Sequence, residues 1–164
     1  MDIRVAEAAD WPAVHAIHAE AFGQVDEAEL VRRLHEDGDL ILSLIAYDDQ
    51  PVGHIAFSRL VLHEAPGVKV GALAPLAVRP SSQAQGVGSA LVRQGLDRLR
   101  SGGCDLVVVL GEPGYYSRFG FTPQLASQLK TPYDGPYLQA LALSDKGKEA
   151  HGPVSYARAF AELK

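Results

Sequence analysis

The sequence predicts an α+β fold of the α/β kind: a mixed, mostly antiparallel sheet of about six to seven strands, splayed near its middle, with about four flanking helices. Three observations carry this expectation. Strand-like runs at 40–47, 52–62 and 68–78 follow one another across turns short enough for antiparallel hairpins. A crossover helix and a second apolar strand at 105–110 come next, an order that pairs parallel and right-handed. Pro75 falls inside the third run, where a residue without an N–H marks a bulge or an edge opening, and a sheet that opens there makes a slot.

Taken in order, Ile3-Arg4-Val5 opens an edge strand, and Asp10 is placed to cap a helix beginning at Trp11-Pro12, with Val14, Ile17, Ala21 and Phe22 on one face. Asp26-x-x-Glu29 has the form of a capping box before a second helix whose Leu30, Val31 and Leu34 face inward; Arg32, Arg33 and His35 lie near its C-terminal end. His15 and His18 could share a helix face. No third ligand stands at a convincing spacing, so they read as partly exposed surface histidines and no metal is expected. The turns 48–51 and 63–67 separate the three strands. The helix after residue 86 buries Val87, Leu91, Val92, Leu96 and Leu99, exposes Arg93, Gln94, Asp97 and Arg98, and ends at Gly102-Gly103, which suit a left-handed cap. The short apolar strand at 105–110 has the composition of one covered on both faces. Residues 122–136 read as loop-rich, suited equally to a substrate entrance or to plain connection. A final strand is expected at 137–143, an extended piece at 152–156 and a terminal helix at 157–163.

Composition narrows the function. A chain of 164 residues is one domain, 1–164, by the usual size prior and is long enough to bury a core. No apolar run reaches the length of a membrane span, and an N-terminus carrying Asp2, Glu7 and Asp10 lacks a signal-peptide pattern, so a cytoplasmic protein without membrane contact is expected. The net charge of -5 argues against a nucleic-acid partner and suits a cationic substrate such as an amine. The single cysteine, Cys104, excludes an internal disulfide and a multi-thiolate zinc site and reads as a small buried filler.

The stretch 75–91 carries the chemistry. Gly86 and Gly88 have no Cβ, so a phosphate oxygen can approach backbone N–H groups at a helix start, where donors are unpaired and the helix dipole is positive. Ser89-Ala90 follows Gly88 where a P-loop needs Lys and then Ser or Thr, and Leu91 stands where the dinucleotide fingerprint needs a small residue. What remains, Gln83-x-x-Gly86-x-Gly88, resembles the (Arg/Gln)-x-x-Gly-x-(Gly/Ala) signature of the GCN5-related N-acetyltransferases. Read by itself, the cluster at 112–121 is mostly aromatic core with Gly120 as a turn. Its Tyr116-x-x-x-Gly120-Phe121 resembles a second element of the same family. Ala74-Pro75-Leu76-Ala77-Val78, Leu110-Gly111-Glu112-Pro113, residues 115–121 and Gly152-x-Val154-x-Tyr156 are similar to the YhbS-like subgroup. One departure stands out: many members place an Asn contacting CoA where this chain has Glu112-Pro113-Gly114.

The resemblance implies the GNAT fold and an acetyl-CoA-dependent N-acetyltransferase working by direct attack in a ternary complex, with acetyl-CoA as co-substrate. It places the pantetheine arm along Leu76, Ala77 and Val78, with the Leu76 N–H on the thioester carbonyl. The pyrophosphate falls on Gln83, Ala84, Gln85, Gly86, Val87, Gly88 and Ser89, and Tyr116 becomes the general acid at the CoA sulfur. Family members are often homodimers. The acceptor is a small-molecule or protein amine. Because an alkyl amine titrates near about 10.4, a base is needed. Glu20, Asp26, Glu27, His54 and Glu112 are candidates, each otherwise a solvated surface group, with Glu112 preferred because it follows the apolar strand beside the slot. Two other readings stay open: a non-catalytic acyl-CoA sensor or carrier, and an acyltransferase with another acyl donor or an O-acceptor.

Overall fold

The computed structural model describes residues 1–162. Among them, eight strands and six α-helices follow in the order β1 (Asp2–Val5), α1 (Trp11–Phe22), α2 (Asp26–Glu36), β2 (Leu40–Asp48), β3 (Gln50–Leu62), β4 (Val70–Val78), α3 (Val87–Ser101), β5 (Leu106–Leu110), α4 (Pro113–Tyr116), α5 (Pro123–Ala126), β6 (Leu129–Lys130), β7 (Leu138–Ala142), α6 (Asp145–Lys148) and β8 (Gly152–Ser155). The strand order is β1-β2-β3-β4-β5-β7, with β8 paired to β3 and β6. The mixed sheet is therefore as expected in kind; β8 falls on the extended piece expected at 152–156, and β6 and the one-turn helices α4 to α6 are added. No helix of the described residues is long and apolar enough to cross a membrane.

Two compact units share the chain, and β3, β4 and α3 contribute to both. The first comprises Met1–Ser58, Pro75–Gly95 and the residues from Ala157. In it β1 lies antiparallel to β2, and β2 to β3, through a turn in which Asp48 pairs with Gln50 and Asp49 alone takes a left-handed backbone (φ 64°), tighter than the four-residue turn expected. Val14, Ile17, Val31, Ile45, Ala56 and Ala77 form one core cluster. Phe22 does not join that face; it is the last residue of α1 and is 42% exposed.

Both proposed helix caps are corrected. Asp10 is buried, and its carboxylate does not cap α1; it accepts from Arg4 Nη1 (2.7 Å) and Nη2 (2.9 Å), the Tyr47 hydroxyl (2.6 Å) and the Glu7 N–H (2.7 Å). A guanidinium with two fixed donors outcompetes the neutral N–H groups of a helix start. Asp26 lies inside α2, after Val25, and Glu29 accepts instead from Arg32 and pairs with His15. Asp26, Glu27 and Glu29 act as negative charge on the first turn.

The second unit comprises Arg59–Ala74 and Leu96–Tyr156. Here β4 runs parallel to β5 from Val70–Leu106 to Leu73–Val109, and β5 runs antiparallel to β7. The β4–β5 register stops at Leu73, two residues short of Pro75, while β4 itself continues to Val78. Residues 106–109 are buried, as a strand covered on both faces requires. Asp105 precedes β5 rather than starting it, with its carboxylate accepting from the Lys69 N–H (2.9 Å) and the Ser144 hydroxyl (2.6 Å). The region read as loop-rich holds α5, capped by Thr122, and β6. The terminal helix expected at 157–163 is a 3-10 turn over Arg158–Glu162, and Leu163 lies outside the described residues. On α3, every residue assigned to the buried face is buried and every one assigned to solvent is exposed; Gly103, at φ 89°, supplies the left-handed end.

Candidate active site

The loop entering α3 is fixed from both sides. Arg79, at the end of β4, donates its N–H to Val52 O (2.8 Å) and its Nε to Pro51 O (2.8 Å), and its guanidinium pairs with Glu20. A 3-10 turn over Pro80–Ser82 follows, and Gln83 turns its side-chain amide back onto Val78 O (2.9 Å). Ala84 and Gly86 both take left-handed backbone, φ 63° and 83°. At Ala84 this stores about 1 kcal/mol of strain. A Cβ on Gly86 would meet nothing within 4 Å, so its glycine is required by φ rather than by crowding within the protein. The Ala90 N–H closes the first turn of α3 on Gly86 O (3.0 Å). The N–H groups of Val87 and Gly88 come before any intrahelical acceptor, and residues 83–86 are exposed beside them.

Helix α3 can come close to the sheet because two glycines leave room. A Cβ on Gly53 would lie 3.0 Å from Val87 Cγ1 and 3.1 Å from Leu91 Cδ1, and one on Gly95 would lie 2.5 Å from the Phe57 ring. The Ala77 carbonyl lies by Gly53 and the Arg79 N–H bonds Val52, both toward β3. By strand alternation the backbone groups of Leu76 and Val78 point away from β3. The Val78 carbonyl is engaged by Gln83, whose side-chain amide ties the exposed loop to the end of β4.

Tyr116 belongs to the second unit. Pro113 starts α4, and the Glu112 carbonyl accepts the N–H groups of Tyr115 and Tyr116 (3.1 Å each). Gly120, at φ 99°, closes the following turn. The Tyr116 ring packs edge-on against Tyr115 (5.0 Å between centroids) and Phe121 (5.8 Å), and Phe121 is buried, so the aromatic-core reading of this stretch holds alongside any chemical role. Burial, with a smaller contribution from Tyr115, raises the Tyr116 phenol to about 12. It is therefore protonated at neutral pH, and its hydroxyl has no hydrogen-bond partner among the described residues.

The candidate bases separate clearly. Glu20 is the counter-ion of Arg79, Glu27 accepts from Gln24, and Asp26 and Glu112 are exposed. His54 is not a surface group: it is fully buried, as is His18, which corrects the surface reading of both. His18 Nε2 and His54 Nδ1 share a hydrogen bond of 2.8 Å, and His54 Nε2 bonds Ser43 Oγ at 2.6 Å. Burial lowers both imidazoles, His18 to about 3, so the pair is neutral at pH 7. No sequence signal marked this pairing, because residues 18, 43 and 54 meet only through tertiary structure. His15 instead pairs with Glu29 at 3.2 Å. Among the described residues no group of three potential metal ligands occurs. Cys104 is a buried filler whose thiol burial pushes up.

The strand order, with the fourth strand feeding a turn at the head of a 15-residue helix, is matched by acetyltransferases solved with CoA and acetyl-CoA, which places the chain in the acyltransferase class. The chain belongs to the acetyltransferase (GNAT) family, which residues 11–121 match. It is 41% identical over 137 residues to the uncharacterized N-acetyltransferase YhbS of Escherichia coli strain K12, covering 82% of this chain and 81% of the relative. It is 39% identical over 137 residues to YjhQ of the same organism, covering 81% and 74%. The crystal structure of Escherichia coli YhbS in complex with CoA superposes with a TM-score of 0.92 at 36% identity, over 99% of this chain and 93% of that one. A GNAT acetyltransferase from Brucella melitensis in complex with acetyl-CoA gives 0.82 at 34% identity, over 97% of each chain.

Proposed function

We propose that this acetyltransferase uses acetyl-CoA and transfers the acetyl group to the nitrogen of a primary amine by direct attack in a ternary complex. The observation that carries the proposal is the turn at 83–88, with left-handed Ala84 and Gly86 directly ahead of the start of α3 at Val87, a geometry suited to a pyrophosphate. The CoA and acetyl-CoA bound to the Escherichia coli and Brucella melitensis relatives support the same donor.

In this mechanism the backbone of Leu76, Ala77 and Val78 aligns the pantetheine arm, and the Leu76 N–H donates to the thioester carbonyl as negative charge builds there. The pyrophosphate is held by the loop from Gln83 to Ser89, chiefly through its backbone N–H groups. The amine nitrogen uses its lone pair to form the C–N bond. The C–S bond then breaks, and the departing thiolate takes the Tyr116 proton. Before the attack the substrate ammonium gives up a proton to a base or to water, and Glu112, just before α4, is the carboxylate assigned to receive it; after the attack the nitrogen sheds its remaining extra proton to water, and the Tyr116 phenolate is reprotonated from water. A phenol with no protein acceptor is free to donate to sulfur, which favours an enzyme over a non-catalytic carrier.

The test is CoA thiol release from acetyl-CoA against pooled amino acids, polyamines, aminoglycosides and peptides, for wild type beside Tyr116→Phe. Amine-dependent release that falls by about 100-fold or more in the variant is the expected result for loss of a general acid. Release that the variant leaves unchanged removes Tyr116 from the mechanism, and no release with any pool, in a protein that binds acetyl-CoA, favours the carrier.

A further inference from the structure

We propose that Gly111 is the positioning residue for the Tyr116 phenol: the absence of a side chain at Gly111 sets where the ring lies. The inference rests on the reading of Tyr116 as the general acid, and both residues belong to the same compact unit. A Cβ built on Gly111 would fall 2.6 Å from Tyr116 Cε2, 3.1 Å from Cδ2 and 3.6 Å from Cζ. The edge of the ring that carries the hydroxyl therefore occupies the space of a missing methyl group.

Gly111 cannot retreat from the ring. Its N–H donates to Tyr137 O (3.0 Å), and its carbonyl accepts from the side-chain amide of Gln139 (3.1 Å), a fully buried residue on β7. The same Gln139 nitrogen also donates to Tyr137 O (3.3 Å), so two carbonyls fix the orientation of the amide. The Tyr116 ring also packs edge-on against Tyr115 and Phe121, which restrict where it can go. The glycine is not needed for backbone conformation, since its φ lies outside the left-handed range. An alanine is therefore allowed by the backbone and excluded only by Tyr116, which makes Gly111→Ala a selective perturbation of the ring. Ordinary carbon contact lies at about 3.5–4.0 Å, so the ring has to move by about 1 Å, a displacement able to cost on the order of 100-fold in rate.

The experiment follows Tyr116 itself as well as turnover. With 13Cζ-labelled tyrosine, the Tyr116 resonance is identified by its loss in Tyr116→Phe, and it is titrated in wild type and in Gly111→Ala. Displacement toward water is expected to shift that resonance and to bring the phenol down from about 12. The kcat for CoA release is expected to fall about 10-fold to 100-fold with KM for acetyl-CoA unchanged, and to show no further loss when Gly111→Ala is added to Tyr116→Phe. An unmoved resonance overturns the inference whatever the rate. If Tyr116→Phe lowers kcat and Gly111→Ala does not, the positioning role alone is overturned; if Tyr116→Phe keeps full turnover, the acid assignment falls and takes the inference with it. Should Gly111→Ala fail to fold, Gly111→Ala with Tyr116→Ala is expected to fold, because the obstructing ring is gone. Failure of that double variant, where Tyr116→Ala alone folds, overturns the inference.

Discussion

Lowering the pH from 7 to 5 is expected to remove about 2 kcal/mol of folding stability through His18 alone, from a folded value of about 3 against an ordinary 6.5. Burial is the main cause, with His15 adding to it. For His54 burial again leads, followed by His18, while Asp10 opposes both. Because the folded values lie below the unfolded ones, the unfolded chain takes up protons first. The stability is complete above about pH 7 and declines as the pH falls toward the folded values. His54 shifts in the same direction, so the loss for the pair exceeds that for His18. The carboxylates held low by ion pairs, such as Glu29 at about 2 beside Arg32, lose their contribution only below about pH 4, which leaves the interval between pH 7 and 5 to the histidines. The assay is urea unfolding at pH 7, 6 and 5 for wild type and for His18→Leu with His54→Leu. An apolar replacement of both partners removes the buried polar pair without leaving either imidazole unpaired. Wild type should lose at least about 2 kcal/mol across the interval and the double variant clearly less. Equal losses in the two proteins would refute the argument that the buried imidazoles are the acid-sensitive element.

Gly88→Asp is expected to abolish acetyl-CoA binding by putting bulk and negative charge at the helix start, and unchanged binding calorimetry in a folded variant removes the phosphate assignment of the loop. Gly95→Ala drives a methyl group into the Phe57 ring, 2.5 Å from its Cε2, and should cost about 1–3 kcal/mol in thermal or urea unfolding, relieved in part by Phe57→Leu. Asp10→Ala leaves Arg4 and the Tyr47 hydroxyl without their shared acceptor and should cost about 2 kcal/mol, moderated because Arg4 is partly exposed and rehydrates. A loss below about 0.5 kcal/mol in urea would show that this network is worth no more than a surface ion pair.

Much of the frame was legible in the linear order of residues. The buried and exposed positions of α3 follow a 3.6-residue period, the apolar run of β5 announces a strand covered on both faces, and Gln83-x-x-Gly86-x-Gly88 marks the turn before α3. These signals are local, since each depends on residues a few positions apart whose backbone geometry sets their spacing. They sufficed for the kind of sheet and for the place of the turn before α3; the family came from the resemblance of the motifs at 83–88 and 116–121 to those of the acetyltransferases. What the sequence could not settle is which side chain answers which. Asp10 and Asp26-x-x-Glu29 satisfy the local pattern of helix caps, yet Arg4, Tyr47, Arg32 and His15 offer stronger partners once the chain has folded. His18 and His54, separated by 36 positions, became a buried neutral pair, and Gly111 became a constraint on Tyr116 because α4 folds back over the end of β5. Periodicity specifies the face a residue presents, but burial, charge pairing and crowding depend on what the rest of the chain brings against that face, and only the tertiary structure decides that.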